Sequence, residues 1–547
     1  MFPANNVWNV PVDTLPVDAS SAAYVANMQG ATARLHADWG NNPADYYGIP
    51  FVVVPGSQAK LAVTFDPQAA SESDTGPYPI PPSPPIEGPP GVDGDRHLLM
   101  LDRDNCILYE LFHVWPPNTP VFNPTPNWTA YSGAIFDLRS NRMRPDTWTS
   151  ADAAGLSVLQ GLVRYDEVAA GEIRHAIRMT AVQTRNTYVW PASHQAGSAG
   201  AARPPMGQRF RLKSTFDTEN PAYHAQTKVI LRALKKYGAI LADNGSNWFF
   251  SGTTDTQWND RVFSELGGIN GDNFEAVDES SLRIAADSYA AKSRMQEDFN
   301  ADAKPDIIWR HAGNGNAYLW YMNGPALQSD AFLTGIDPSW KLEGMADFNG
   351  DGKPDLVWRN TASGASYVWY MDGSTFLSDA PLFSLPPVWK IEAIADFNRD
   401  GKPDFLLRNT STGLAFLWYF NNAAPVGDQY LFTIDPSWKV EAVADLNLDG
   451  QPDLVFRNNS SGLAFAWYTQ TGAGGTSLGA SSPPIFSIDP VWEIVQMADW
   501  NGDGKPDLLF HNASTGVVFV WYLNGTTLTT SDYVTQIDPV WEIVPRR

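Results

Sequence analysis

The chain of 547 residues has a single cysteine, Cys106, so an internal disulfide is excluded. Basic residues are also few, with 37 lysines and arginines against 60 acidic residues, and the formal net charge is −23. That excess of negative charge argues against nucleic acid and anionic membranes as partners. No apolar run is long enough to cross a membrane as a helix. We therefore expect no nucleic-acid binding, no membrane insertion and, at this length, two to four domains.

Five acidic loops of nine residues recur in the C-terminal half: DFNADAKPD, DFNGDGKPD, DFNRDGKPD, DLNLDGQPD and DWNGDGKPD. Oxygen-bearing side chains occupy loop positions 1, 3, 5 and 9, and Ca²⁺ takes six to eight oxygen ligands. A β-rich run follows each loop, so the loop is a turn between strands and no EF-hand is predicted. The sequence predicts up to five Ca²⁺ ions. The predicted ligands are Asp298, Asn300, Asp302, Asp306, Asp347, Asn349, Asp351, Asp355, Asp396, Asn398, Asp400, Asp404, Asp445, Asn447, Asp449, Asp453, Asp499, Asn501, Asp503 and Asp507.

The loops also define a repeat of 49 to 54 residues, a length typical of propeller blades. Each repeat continues with a strand, a second strand ending in Trp-Tyr, and a D-P-x-W or P-P-V-W turn into a third strand. The first repeat lacks a preceding strand of that last kind, whereas the strand starting at Trp541 has no loop after it. We therefore expect this last strand to complete the first blade of a five-bladed β-propeller over residues 286–547.

These loops resemble the FG-GAP or VCBS repeats of secreted and cell-surface propellers, over about residues 290–547. The resemblance implies one Ca²⁺ per blade, with a weaker first site where Ala303 replaces glycine. Millimolar Ca²⁺ is an extracellular condition, so we expect a secreted bacterial protein. In the other half, strings such as GDRHLLMLDRDNCILYEL and RYDEVAAGEIRHAIR resemble uncharacterised exported bacterial proteins, which implies secretion and carries no activity with it.

Residues 1–285 show many short β patterns, a proline-rich loop over residues 77–90, and one amphipathic helical pattern over residues 222–238. Such a pattern predicts a β-sandwich or jelly-roll-like domain with one or two helices. The expected strands lie in residues 47–54, 60–65, 96–101, 107–115, 134–138, 172–181, 187–190 and 207–214.

The chemistry of this domain is expected near the segment EIRHAIR and the acidic residues before it. Strand alternation places His175 opposite Glu172, Arg174 and Arg178, so an inward face and a polar face both stay open as the pocket. The candidate acid/base residues are Asp152, Asp166, Glu167, Glu172 and His175. The candidate substrate-binding residues are His97, Arg174 and Arg178.

These features favour a secreted, monomeric carbohydrate-active protein that acts on a polysaccharide or other glycan. Glycoside hydrolysis, which needs two nearby carboxyls, is the leading interpretation, with the calcium-binding propeller serving for binding or support. A lyase acting on a uronic acid polymer is the alternative if basic faces of residues 172–181 and 207–214 adjoin. A non-enzymatic lectin or adhesin is the third, and all three remain open at the level of sequence.

Overall fold

A computed structural model describes the chain except for residues 1, 4, 14, 292–296, 301, 303, 399–401, 450, 473–474 and 546–547. The predicted mainly β fold is confirmed. The chain divides into two compact units, Met1–Lys292 and Ser293–Arg547, where the sequence analysis places the division between residues 285 and 286.

The N-terminal unit combines twelve short strands with four α-helices among its described residues. The strands are β1 His36–Asp38, β2 Phe51–Val54, β3 Val63–Phe65, β4 Leu98–Asp102, β5 Ile107–Phe112, β6 Trp128–Ala130, β7 Ser132–Asp137, β8 Ile177–Ala181, β9 Arg209–Leu212, β10 Ala239–Asn244, β11 Phe249–Ser251 and β12 Phe274–Ala276. The helices are α1 Ser21–Asn27, α2 Tyr165–Ala170, α3 Ala225–Lys236 and α4 Asp260–Leu266, with 3₁₀-helices at Pro43–Asp45, Ala70–Glu72, Leu159–Gly161, Gly271–Asn273 and Ser280–Leu282.

Two sheets form the body of this unit. The larger has the order β1-β11-β8-β10-β9-β12 and the smaller β2-β4-β5-β7, while β3 and β6 form a separate pair. Leu99 and Leu108 of the smaller sheet share one buried cluster with Ile177 and Leu241 of the larger. The pairs β1/β11, β8/β10 and β2/β4 are parallel, so both sheets are mixed. The predicted helix at residues 222–238 is present as α3, and its N-terminus is capped by His224.

The basic faces proposed from alternation do not form a surface patch. Strand β10 lies between β8 and β9, so the two strands that carry the arginines are not neighbours. Arg178, Arg209 and Arg211 are all buried and bonded to carboxylates or backbone carbonyls. Residues 172–176 precede β8 and are not part of a strand, so alternation does not apply to His175.

The described residues of the C-terminal unit form five sheets, one per repeat. The first contains β13 Ile307–His311, β14 Asn316–Asn323 and β15 Ala326–Gly335; the second β16 Trp340–Ala346, β17 Asp355–Asn360, β18 Ala365–Asp372 and β19 Thr375–Ser384; the third β20 Trp389–Ala395, β21 Asp404–Asn409, β22 Leu414–Asn421 and β23 Ala424–Thr433. The fourth contains β24 Trp438–Ala444, β25 Asp453–Asn458, β26 Leu463–Gly472, β27 Gly475–Ser481 and β28 Phe486–Ser487; the fifth β29 Trp492–Ala498, β30 Asp507–Asn512, β31 Val517–Asn524 and β32 Thr527–Gln536.

The last strand, β33 Trp541–Ile543, joins the first sheet, as predicted from the repeat. It pairs antiparallel with β13, with Trp541 opposite His311 and Ile543 opposite Trp309. Buried apolar clusters connect each sheet to the next and the fifth sheet to the first, which describes a ring. One pair from each cluster is Leu319 with Leu356, Val357 with Leu407, Leu406 with Leu454, Val455 with Leu508, and Leu509 with Ile307.

Candidate functional site

A pocket of about 520 Å³ opens on the N-terminal unit, between the loop before β2, the proline-rich loop and the start of α2. Its chemistry is mixed, with three carboxylates, one guanidinium and three aromatic rings. These are Glu87, Asp166 and Asp255, then Arg164, and then Tyr46, Phe51 and Tyr165. Rings and carboxylates around a concave site are the usual surroundings of a bound sugar, because rings stack on sugar carbons while oxygens bind hydroxyls.

Glu87 is held in the pocket wall by the buried His97. The carboxylate Oε2 lies 2.6 Å from Nδ1 of His97 and accepts the His97 backbone N–H at 3.2 Å. The other ring nitrogen, Nε2, lies 3.0 Å from the carbonyl oxygen of Ala151. Burial alone would raise the pKa of Glu87, but His97 outweighs it and keeps that pKa below its usual value. Burial likewise opposes a charged His97, yet Glu87 raises the pKa of His97 to about 9. Glu87 is therefore a charged, positioned carboxylate with a side chain 20% exposed.

An ion-pair network is buried in the same unit. Arg178 binds both carboxylate oxygens of Asp152, through Nε at 2.9 Å and Nη2 at 3.0 Å. It also donates to Asp243 at 2.8 Å and to the Ser251 hydroxyl at 2.8 Å. Burial raises the pKa of Asp243 to about 7 despite this contact, because one guanidinium faces two carboxylates. The network lies in the core, where the side chains of Arg178 and Asp152 are 4% and 0% exposed.

The strand register explains why further polar groups face this network. Asp38 lies opposite Ser251 across β1 and β11, and strand pairing of β11 with β8 brings Ser251 to Arg178. Tyr47 contacts His36 Nε2 at 2.6 Å and hydrogen-bonds Asp38. Burial raises the pKa of Asp38, and the negative charge of Glu87 adds to the shift. The pKa of Glu87 is thus lowered and the pKa of Asp38 is raised. Opposite displacement of two neighbouring carboxyls is common in acid/base pairs.

The predicted acid/base residues are distributed over several places. Asp166 lines the pocket, with a side chain 80% exposed. Glu167 stands behind it and binds Arg164 and Nε2 of His175, the latter at 3.1 Å. Nδ1 of His175 contacts the carbonyl of Ala176 at 2.8 Å, so both ring nitrogens are engaged.

The remaining predicted residues lie outside the pocket wall. Glu172 and Arg174 form a half-exposed ion pair at 3.0 Å, and His97 supports Glu87 from behind. Glu87 is not among the site residues predicted from the sequence. The feature that could have indicated it is its position as the only acid in the apolar, proline-rich string PPSPPIEGPP.

The acidic loops of the C-terminal unit share the same pair of hydrogen bonds at loop position 9. In the second repeat, the buried Asp355 at loop position 9 accepts the backbone N–H groups of Phe348 at 2.9 Å and Met371 at 3.0 Å. The carboxylate therefore ties the loop to β18, the strand that contains the Trp-Tyr pair. The same two bonds recur at Asp306, Asp404, Asp453 and Asp507.

The donor chemistry of these loops fits a hard cation. Burial raises the pKa of Asp355 to about 7, and the charges of Asp347 and Asp351 add to the shift. The carboxylates of one loop thus repel one another, and a Ca²⁺ ion would offset that repulsion. Among the residues that the structure describes, no three His, Cys, Asp or Glu side chains are already arranged as a metal site. Of the predicted ligands, Asp400 lies outside the described residues.

The arginine after the loop has a backbone role in the first, second and fourth repeats. In the third repeat Arg408 donates instead to Glu392 at 3.2 Å, and in the fifth His511 takes the place of the arginine. Arg359 donates to the carbonyls of Trp389 at 2.6 Å and Leu385 at 3.0 Å, at the turn before the next sheet. Arg310 and Arg457 bind the carbonyls of their own turns in the same way. These side chains hold the turns of the ring and are buried.

Comparison with solved structures gives distant similarities. An auxiliary nutrient binding protein from Bacteroides thetaiotaomicron is 9% identical with a TM-score of 0.28, over 40% of this chain and 52% of that one. A rhamnogalacturonan lyase from Bacillus licheniformis is 13% identical with a TM-score of 0.21, over 37% of this chain and 53% of that one. The chain spans about half the length of these two proteins.

Comparison with curated proteins gives no match. None of the described helices is both long enough and apolar enough to cross a membrane. The model of the family described as FG-GAP-like repeat matches residues 347–407 and 445–510. The C-terminal region therefore contains FG-GAP-like repeats.

Proposed function

We propose that this is a secreted bacterial carbohydrate-active protein whose N-terminal unit hydrolyses a polysaccharide bound in the Glu87 pocket. The observation that carries the proposal is Glu87 itself, a charged carboxylate held by His97 at 2.6 Å in the wall of a pocket of about 520 Å³. Glycoside hydrolysis uses one ionised carboxylate and one carboxyl that donates a proton. Glu87 takes the first role.

The proton donor is a neighbouring carboxyl. Asp38 is favoured by a pKa that burial raises, and Asp166 by its place on the pocket wall. Tyr46, Phe51 and Tyr165 would stack on the sugar rings and set the path of the chain. The test below separates the two acids.

The composition of the pocket favours a neutral glycan over a uronic acid polymer. Three carboxylates line the walls with one guanidinium, Arg164, which is already bonded to Glu167. A polyanion would be repelled by such a surface. The lyase interpretation is accordingly the weaker alternative. Glycan binding without turnover is the stronger one, because Asp152 and His175, two of the predicted acid/base residues, are engaged in buried bonds.

The five loops of the C-terminal unit would each hold one Ca²⁺, through the side chains at loop positions 1, 3, 5 and 9. The ion would supply positive charge that offsets the clustered carboxylates and would add its binding free energy to folding. The propeller then serves as a calcium-dependent support or second glycan-binding module.

The test is a reducing-sugar assay on the full chain over neutral and uronic polysaccharides, with unsaturated uronate measured in parallel. Glu87→Gln should lower kcat at least 100-fold, the usual scale of an acid/base group. Asp38→Asn and Asp166→Asn identify the proton donor as the variant with the comparable loss. The matched control is Glu219→Gln, which breaks an exposed ion pair with Arg232 and should leave the rate unchanged.

The outcome that contradicts hydrolysis is full activity of folded Glu87→Gln. Release of no reducing ends from any polysaccharide, with a glycan still bound in a Glu87-dependent manner, supports the lectin alternative. Accumulation of unsaturated uronate would support the lyase alternative.

A further inference from the structure

A second cleft of about 590 Å³ lies in the N-terminal unit and shares no lining residue with the Glu87 pocket. Aromatic rings of Tyr188 and Trp190 form part of its wall. Trp190 donates its indole N–H to the Ser288 carbonyl at 2.9 Å, and Tyr188 donates its hydroxyl to Asp146 at 2.5 Å. Both rings are therefore held in place by their polar ends, while their faces are half exposed.

The cleft also contains an under-satisfied buried carboxyl. Glu279 is 6% exposed, and its Oε1 has no hydrogen-bond partner among the described residues. Its Oε2 makes a single long contact of 3.5 Å with Nη1 of Arg209. Arg209 directs its N–H groups mainly to the carbonyls of Val7, Val10 and Tyr237, at 2.7 to 3.0 Å. A buried polar atom left without a partner is costly, so a ligand that supplies a donor there gains that free energy.

Further carboxylates surround Glu279. Asp18, Asp146 and Asp278 line the same cleft, and each accepts a local bond, from Ser20, Tyr188 and Ser280 respectively. The guanidinium of Arg283, also in the lining, is bonded to the carbonyls of Ala285 and Ala286. The surface facing the cleft is thus acidic and aromatic, which suits a positively charged ligand with hydrogen-bond donors.

An ammonium group satisfies all three features at once. It brings three N–H donors for Glu279 and its neighbours, a positive charge for the carboxylates, and a cation–π contact for Trp190. Carbon atoms next to the nitrogen would pack on the ring faces. Burial, which raises the pKa of Glu279 to about 7, would be opposed by the bound cation.

We infer that this cleft binds a ligand that carries an ammonium group on apolar carbon, either an amino sugar with a free amine or an alkyl polyamine. The inference does not rest on hydrolysis in the Glu87 pocket. It assigns the N-terminal unit a second site with a different ligand charge.

The experiment is titration calorimetry on the full chain carrying Glu87→Gln, so that turnover in the first pocket adds no heat to the signal. The probes are a glucosamine trimer, the N-acetylglucosamine trimer and spermidine. We expect the glucosamine trimer or spermidine to bind, and the acetylated trimer, which lacks the charge, to bind at least tenfold more weakly. Binding of the trimer alone identifies an amino sugar, and binding of spermidine alone identifies a polyamine.

Variants of the cleft complete the test. Glu279→Gln keeps the shape of the side chain and should weaken amine binding at least tenfold. Asp278→Asn, at an exposed position where folding should be unaffected, should also weaken amine binding. Glu219→Gln, on a distant exposed ion pair, is the matched control and should bind like the parent. The inference is overturned if neither amine binds at millimolar concentration, if both trimers bind equally, or if both cleft variants bind like the parent.

Discussion

Replacing Arg178 by methionine removes the guanidinium that binds Asp152 at 2.9 and 3.0 Å. The Asp152 side chain is 0% exposed, so its charge cannot recover this interaction from water. Asp243 loses its 2.8 Å contact in the same step. Removing one partner of a buried pair costs about 3–5 kcal/mol. Since 1 kcal/mol shifts Tm by about 2–4 °C in a domain of this size class, Tm of the N-terminal unit should fall by roughly 6–20 °C.

The neighbouring Arg174→Met is the matched control. It removes an arginine by the same substitution, but its ion pair with Glu172 has side chains 38% and 37% exposed. Surface pairs contribute about 0–1 kcal/mol, so Tm should shift by less than about 4 °C. The measurement is differential scanning calorimetry of the full chain. A second control, Asp152→Leu combined with Arg178→Met, should recover part of the loss because the fully buried carboxylate is removed together with its partner.

The result that would refute this account is a loss below about 1 kcal/mol in folded Arg178→Met. The ion pair would then not hold the core, and the substrate-orienting role predicted for Arg178 would become the better explanation. That role has its own readout, a rise in KM for the polysaccharide with Tm unchanged. If Tm falls as expected and the double variant recovers it, Asp152 and Arg178 are structural.

Three further predictions concern the other features. EDTA should lower Tm of the C-terminal unit by many degrees and leave the N-terminal unit less affected; an unchanged curve in metal-free protein contradicts the calcium sites. Deletion of residues 538–547 removes β33 and exposes the edge of β13. Because burial of Ile543 and Val544 contributes about 1.5–3 kcal/mol each, the C-terminal unit should lose cooperative unfolding or aggregate. A truncated chain that melts like the parent would disprove closure of the ring. The pKa of His97 is raised from 6.5 to about 9, so His97 contributes about 3 kcal/mol of stability that is fully present below pH 6.5 and is lost as pH rises through 9. His97→Gln should therefore flatten the decline in Tm of the N-terminal unit between pH 6.5 and 9.5. An unchanged slope would contradict this prediction.

The ring of sheets could be predicted from sequence because its information is repeated. The first repeat lacks a strand before its loop at residue 298, and the strand that begins at Trp541 has no loop after it. Each end of the repeat array therefore supplies what the other lacks, and the structure pairs β33 with β13. Repetition also explains a limit of such patterns. Arg310, Arg359 and Arg457 recur at one position and bond the backbone carbonyls of a turn, so recurrence by itself does not indicate a glycan site.

The N-terminal site could be predicted only in part, because strand alternation does not hold for residues that lie outside a strand. Residues 172–176 are irregular, and His175 is oriented by Glu167 and by the carbonyl of Ala176. Arg178, which is in β8, faces Asp152 from a loop and Asp243 from β10. Those partners are 26 and 65 residues away in the chain, and no local pattern reveals such distances.

Glu87 shows what kind of signal remains usable. Proline restricts the backbone and lowers the entropy that a loop loses on folding, so a residue set among prolines is positioned at low cost. A single acid in such a loop needs a counter-charge, and the nearest lysine or arginine in sequence, Arg96, donates instead to backbone carbonyls. Here the counter-charge is His97, ten residues on and directly before β4, and the strand that follows it is part of the core. Isolated acids in rigid apolar loops therefore belong among the candidates for an acid/base site, beside the acid-rich segments that draw attention first.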